Sequence, residues 1–147
     1  MMLYLDYERY ALKYLESQKA VTDILDEKAL IFQKTQPHSS ISEQERGDGG
    51  TRVNKVEEYV IALERGHINE RLAEAKAIMM DRMDMLRQKE KELRASTRKE
   101  DVVYVLKYLD GLGIKDIAYH INYSEAQVYR LLKIIRRNLN MIENERK

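Results

Sequence analysis

The chain has 147 residues, 44% of them apolar and 35% charged, with one proline, six glycines, no cysteine and a formal charge of +1 at neutral pH. The lack of cysteine excludes disulfides, thiolate nucleophiles and cysteine-ligated zinc, and it suits a reducing cytoplasm. Few helix breakers among many charges is the profile of long helices, so the expectation is an all-α protein of about one domain's length with a helical appendage.

The first stretch, "MMLYLDYERYALKYLE", carries charge at Asp6, Glu8 and Arg9, so it is not read as a secretory signal. No apolar run approaches the roughly 20 residues of a membrane span, and no membrane partner is expected. The sequon at Asn122 to Ser124 is read as chance in a cytosolic chain.

From Leu3 onward, Leu3, Tyr7, Tyr10, Tyr14, Val21, Ile24 and Ile31 fall on a three-four spacing broken at Ser17 and Lys28. That pattern predicts a long amphipathic helix over 2–34 with an aromatic seam, which packs against a core or a partner helix. It stops at "QPHSSISEQERGDGGTR", where Pro37, a serine pair and three glycines predict a flexible linker over 36–52. "GDGG" lacks the lysine and hydroxyl residue of a phosphate loop and follows no strand.

A second long helix is predicted over 53–94. Val53, Val56, Val60 and Leu63 share one face, and Leu72, Met79, Leu86 and Leu93 recur every seven residues, with Ala75 and Met83 between them and a soft point at Gly66. Two such helices cannot each bury a stripe alone. Residues 1–95 are therefore expected to form a long hairpin that spaces or oligomerises the protein, giving a homodimer or larger homo-oligomer.

The last segment, 96–147, reads as a separate domain. "STRKE" offers Thr97 as an N-cap and Glu100 as its capping-box partner for a helix over 98–110, with Val102, Val105, Leu106 and Leu109 inward and Gly111 closing it. Ile114, Ile117, Ala118 and Ile121 predict a short helix over 114–121, with Asp116 in its first turn. Asn122 then turns the chain. Ser124 caps a final helix over 125–143 with Gln127 as reciprocal partner, and Tyr123 with Val128 form the hydrophobic staple.

That final helix sorts into two faces. Val128, Leu131, Leu132, Ile135, Leu139 and Ile142 hold core spacing, while Ala126, Arg130, Lys133 and Arg137 form an outward stripe flanked by Gln127, Tyr129 and Arg136. The charge is local. Residues 124–140 hold four basic side chains against Glu125, 87–99 hold six against two acidic, and 1–36 hold five against six. Charge alone is the usual mark of a solvated face. A short helix, a three-residue turn and a longer helix with a basic outer stripe together fit the major groove of DNA.

The stretch "VLKYLDGLGIKDIAYHINYSEAQVYRLLKIIRRNL", Val105 to Leu139, resembles region four of bacterial sigma factors. It resembles more closely the C-terminal part of phage-encoded late transcriptional regulators of the ArpU and RinA type. "GGTRVNKVEEYVIAL", Gly49 to Leu63, is similar to the middle of those phage proteins. The resemblance implies a helix-turn-helix protein from a phage or prophage of a low-GC Gram-positive host. Such a protein binds promoter or operator DNA in the bacterial cytoplasm and activates late or packaging genes, and host RNA polymerase is a further partner of sigma-like domains. Carried onto this chain, the recognition helix is Glu125 to Arg137, with Tyr123 and Ser124 at its mouth; Asn122 stands where such motifs often have glycine.

The DNA-contacting set expected from both lines is Tyr123, Ser124, Glu125, Ala126, Gln127, Tyr129, Arg130, Lys133, Arg136 and Arg137. Arg130 and Gln127 are expected to reach base edges, and Lys133, Arg136 and Arg137 to meet phosphates. No catalytic site, metal or cofactor is expected. His38, His67 and His120 lie far apart in sequence with no helical ligand pair, and Glu57 and Glu58 read as solvated surface. Two rival readings are a small terminase subunit, which would assemble into a ring, and a coiled-coil adaptor with no affinity for DNA.

Overall fold

The structure is a computed structural model that describes residues 2–35 and 55–146, the side chain of residue 146 excepted. Every regular element among the described residues is helical: α1 (Leu3–Thr35), α2 (Lys55–Arg65), α3 (Ile68–Arg94), α4 (Lys99–Tyr104) continuing into a π-helical turn (Val105–Leu109), α5 (Ile114–Ile121) and α6 (Glu125–Arg146). The fold is all-α. The linker expected over 36–52, with its "GDGG", lies outside the described residues, as do His38 and Val53.

Packing divides the chain into Met1–Leu15 with Asp81–Lys147, and Glu16–Met80. The expected boundary at residue 95 is therefore not the one observed, because the first turns of α1 pack with the C-terminal helices.

Within Glu16–Met80, the three-four spacing of α1 turns Val21 and Ile24 onto Leu63 of α2 and Ile68 and Leu72 of α3, with Ile31, Tyr59, Ala75 and Met79 around them. Ser17, an apparent break in the stripe, is itself buried. The Glu27 carboxylate accepts two hydrogen bonds from Arg71 at 3.1 and 3.0 Å, and Lys28 donates to Asn69 at 3.4 Å, so α1 and α3 run antiparallel here. The hydrogen bond and charge of Glu27 raise the Arg71 pKa.

The helix expected over 53–94 is two helices. At the break the Gly66 N–H donates to the Ala62 carbonyl, and His67, not the glycine, takes a left-handed φ of 50°. Gly66 supplies room instead: a Cβ there would lie 3.3 Å from the Ile68 side chain, which is fully buried.

In the other unit the core gathers Tyr4 of α1, Leu93 of α3, Val103 and Tyr104 of α4, Ile117, Ala118 and Ile121 of α5, and Val128, Leu132 and Ile135 of α6. Tyr104 stacks on Tyr4 and Tyr108, with ring centroids 5.3 and 5.0 Å apart, and its hydroxyl donates to Glu8. Burial, with Glu8 second, pushes the Tyr104 phenol far above its ordinary range.

The chain after α3 corrects one expectation. The first residue of α4 is Lys99 and Arg98 stands at its N-cap, so Thr97 and Glu100 do not form the capping box. α4 has no side-chain cap, and Ser96 instead braces the turn before it. Its hydroxyl accepts from the Arg98 N–H at 3.3 Å and donates to Asp101 at 2.7 Å. Asp101 is fully buried, and its other oxygen accepts from the Tyr4 N–H at 3.1 Å, in the first turn of α1. A carboxylate 97 positions away thus satisfies an N–H that the helix cannot satisfy itself.

Candidate nucleic-acid interface

The turns before and after α5 each have a conformational reason. Gly111, at φ 74°, lets the chain leave the π-helical turn, and the Leu112 N–H donates to the Leu106 carbonyl across it. α5 then buries Ile117, Ala118 and Ile121 and ends at Asn122, which is left-handed at φ 61°, ψ 39°. The Tyr123 N–H reaches back to the Ala118 carbonyl at 3.0 Å, the six-to-one bond that closes a helix C-terminus. Asparagine tolerates this backbone better than any residue but glycine.

Ser124 opens α6 with the reciprocal cap. The Gln127 N–H donates to the Ser124 Oγ at 3.2 Å, and the Ser124 N–H donates to the Gln127 Oε1 at 2.9 Å. The Ser124 hydroxyl also donates to that Oε1. This places Gln127 in a structural duty: its carbonyl oxygen is occupied, which leaves only the amide NH₂ of the pair that grips an adenine edge. Tyr123 packs partly into the core cluster that holds Val128. From the adjacent helix, the Lys99 ammonium sits 5.0 Å from the centre of the Tyr123 ring.

The two faces of α6 are those the spacing describes. Val128, Leu132, Ile135 and Ile142 are buried, and Leu131 and Leu139 partly so. Ser124, Glu125, Ala126, Gln127, Tyr129, Arg130, Lys133, Arg136 and Arg137 are exposed, and Tyr123 is half-buried. All ten expected residues thus lie on one turn and the helix that follows it.

Arg130, Lys133, Arg136 and Arg137 of α6 make no ion pair among the described residues. Elsewhere in the same unit some cations are paired, while Lys91, Lys107 and Lys115 make no ion pair among the described residues. Arg94 is held at 3.1 Å by Asp110 and at 3.3 Å by Glu90, which raises its pKa, and Arg9 meets Asp6 and Glu145. Arg136 differs from the other three. It lies at the rim of a pocket with Glu8, Leu12 and Tyr108, close to the body of the protein, while Arg130, Lys133 and Arg137 continue the stripe begun by Ala126. An open cleft of about 790 Å³ runs along the turn, walled by Tyr119, His120, Tyr123 and Glu125. Tyr119 is 86% exposed beside His120.

α6 starts where the sequence places it and runs three residues past the expected end at 143, but its anchoring was not legible in the sequence. Its 22 residues span about 33 Å. The Asn138 side chain donates to the Tyr4 hydroxyl at 2.8 Å, and Arg9 donates to Glu145 at 3.5 Å, so the start of α1 fastens the far half of the helix.

Among the described residues no group of three or more His, Asp and Glu side chains is placed to hold a metal ion, and no helix is long and apolar enough to cross a membrane. No family model, curated protein or solved structure matches the chain.

Proposed function

We propose that the protein binds double-stranded DNA, with α5, the turn and α6 acting as a helix-turn-helix whose second helix enters the major groove. One observation supports this reading: α6 holds three cations in register on a solvent-facing stripe, and none of them meets a carboxylate among the described residues. A groove about 12 Å wide admits such a helix, and the phosphates along its edges supply the missing anions. The turn adds rigidity at the helix mouth, where base contacts are made, because Asn122, Ser124 and Gln127 fix the angle at which α6 leaves.

In this reading Arg130 meets a guanine edge, and Lys133 and Arg137 meet phosphates. Gln127 serves as the cap partner of Ser124 and has only its amide NH₂ left for a base edge. The resemblance of Val105–Leu139 to phage late regulators of the ArpU and RinA type gives the biological form of the proposal: a regulator in a bacterial host that switches on late or packaging genes, working as a dimer on paired half-sites and alongside host RNA polymerase.

The test is selection of duplexes from a random-sequence pool by the full-length protein, followed by titration of the enriched duplex. Enrichment of one motif, bound at about 10⁻⁸ M or tighter, is the expected result. A pool that stays random through successive rounds would remove the reading and favour an adaptor that has no need of DNA.

A further inference from the structure

We infer that the DNA site contains a thymine whose 5-methyl group packs against the side chain of Ala126, within about two base steps of the guanine met by Arg130. This rests on the DNA-binding reading above and goes on to name what α6 reads.

Three observations lead to it. Ala126 is exposed in the first turn of α6 although it is apolar, and it stands on the stripe that Arg130, Lys133 and Arg137 continue. Its neighbour Gln127 is held back by the capping box, with Oε1 bonded to both the Ser124 N–H and the Ser124 hydroxyl. The preceding Glu125 is a carboxylate, which phosphates repel. The leading group of the stripe is therefore a bare methyl. In the major groove the partner of a small apolar side chain is the thymine methyl, the one apolar group that the base pairs present there.

The spacing limits where that thymine lies. Ala126 and Arg130 are four residues apart on one face, a rise of about 6 Å along the helix. Base pairs are stacked about 3.4 Å apart, so a helix lying along the groove spans less than two steps between these side chains.

The experiment separates this inference from the reading beneath it. The duplex selected from the random pool is synthesised again with uracil in place of every thymine, which deletes only methyl groups, and both forms are titrated with the parent protein and with Ala126→Gly at one salt concentration. The parent should bind the uracil duplex about fourfold or more weakly, the value of one buried methyl converted to affinity. Ala126→Gly should bind the two duplexes within about twofold of each other. Thermal melts of the variant check its fold, and the parent's response to uracil needs no variant. Equal binding of both duplexes by the parent would overturn the inference while leaving DNA binding intact. An equal loss for parent and Ala126→Gly would also overturn it, since another group would then read the methyl. A parent protein that selects no duplex would remove both readings.

Discussion

Asp101→Ala probes how the first turn of α1 is bound into the unit that carries α6. The carboxylate is fully buried and accepts from the Tyr4 N–H at 3.1 Å and the Ser96 hydroxyl at 2.7 Å. Hydrogen bonds to a charged group contribute about 1.5–3 kcal/mol each, and the alanine would strand a buried N–H with no acceptor. The expected loss is about 3–5 kcal/mol, a large share of a typical total of roughly 5–15 kcal/mol. Asp101→Asn keeps an acceptor for Tyr4 and should lose less, about 1–2 kcal/mol, while Ser96→Ala removes one bond and should lose about 1 kcal/mol. Urea unfolding followed by circular dichroism measures all three, and the Asp101→Ala melting temperature should fall by roughly 6–20 °C. Losses below about 0.5 kcal/mol for Asp101→Ala would refute the claim that this carboxylate holds α1 in place.

Asn122→Ala should lose about 1 kcal/mol, since alanine resists the left-handed backbone, whereas Asn122→Gly should be neutral or better; equal melts for parent and alanine variant would contradict this. Ser124→Ala should lose about 1 kcal/mol through its cap, read in the same melts. Burial raises the Tyr104, Tyr4 and Tyr7 phenols above their ordinary value of 10.0, so they stay protonated in the fold while the unfolded chain releases its protons. Stability should be unaffected below about pH 10 and fall above it, because the unfolded chain releases these protons first; unfolding midpoints that agree at about pH 9 and about pH 11 would contradict it. Arg130→Ala should lose about 1–3 kcal/mol on the selected duplex and relax its sequence preference, and unchanged preference in a folded variant would remove Arg130 from base reading.

The parts of the fold legible in the sequence are those decided within a few residues. The helical stripe of α1, the closure at Gly111, the left-handed Asn122 and the Ser124–Gln127 cap each follow from residue types a few positions apart. The exposed and buried faces of α6 follow from the same short period. What was not legible depends on distant partners. Asp101 joins Tyr4 and Tyr104 joins Glu8 across almost a hundred residues, so no local pattern marks Met1–Leu15 as part of the C-terminal unit. The helix start moved past Thr97, where Ser96 bonds to an Asp101 that already holds Tyr4. Gln127 shows how one residue type carries two meanings: as a cap partner and as a base reader it satisfies the same spacing, and only the position of its Oε1 separates them.

The central claim is that Arg130, Lys133 and Arg137 face DNA with Lys133 and Arg137 on phosphates, and the slope of log affinity against log salt on the selected duplex tests it most directly. Each phosphate neutralised contributes about −0.9, so Lys133 and Arg137 together account for about −2 of the parent's slope. Lys133→Ala and Arg137→Ala should each flatten it by about one and weaken selected and random duplexes alike. A parent slope near zero, or the parent's slope retained in both folded variants, would contradict the account and return the stripe to solvated surface.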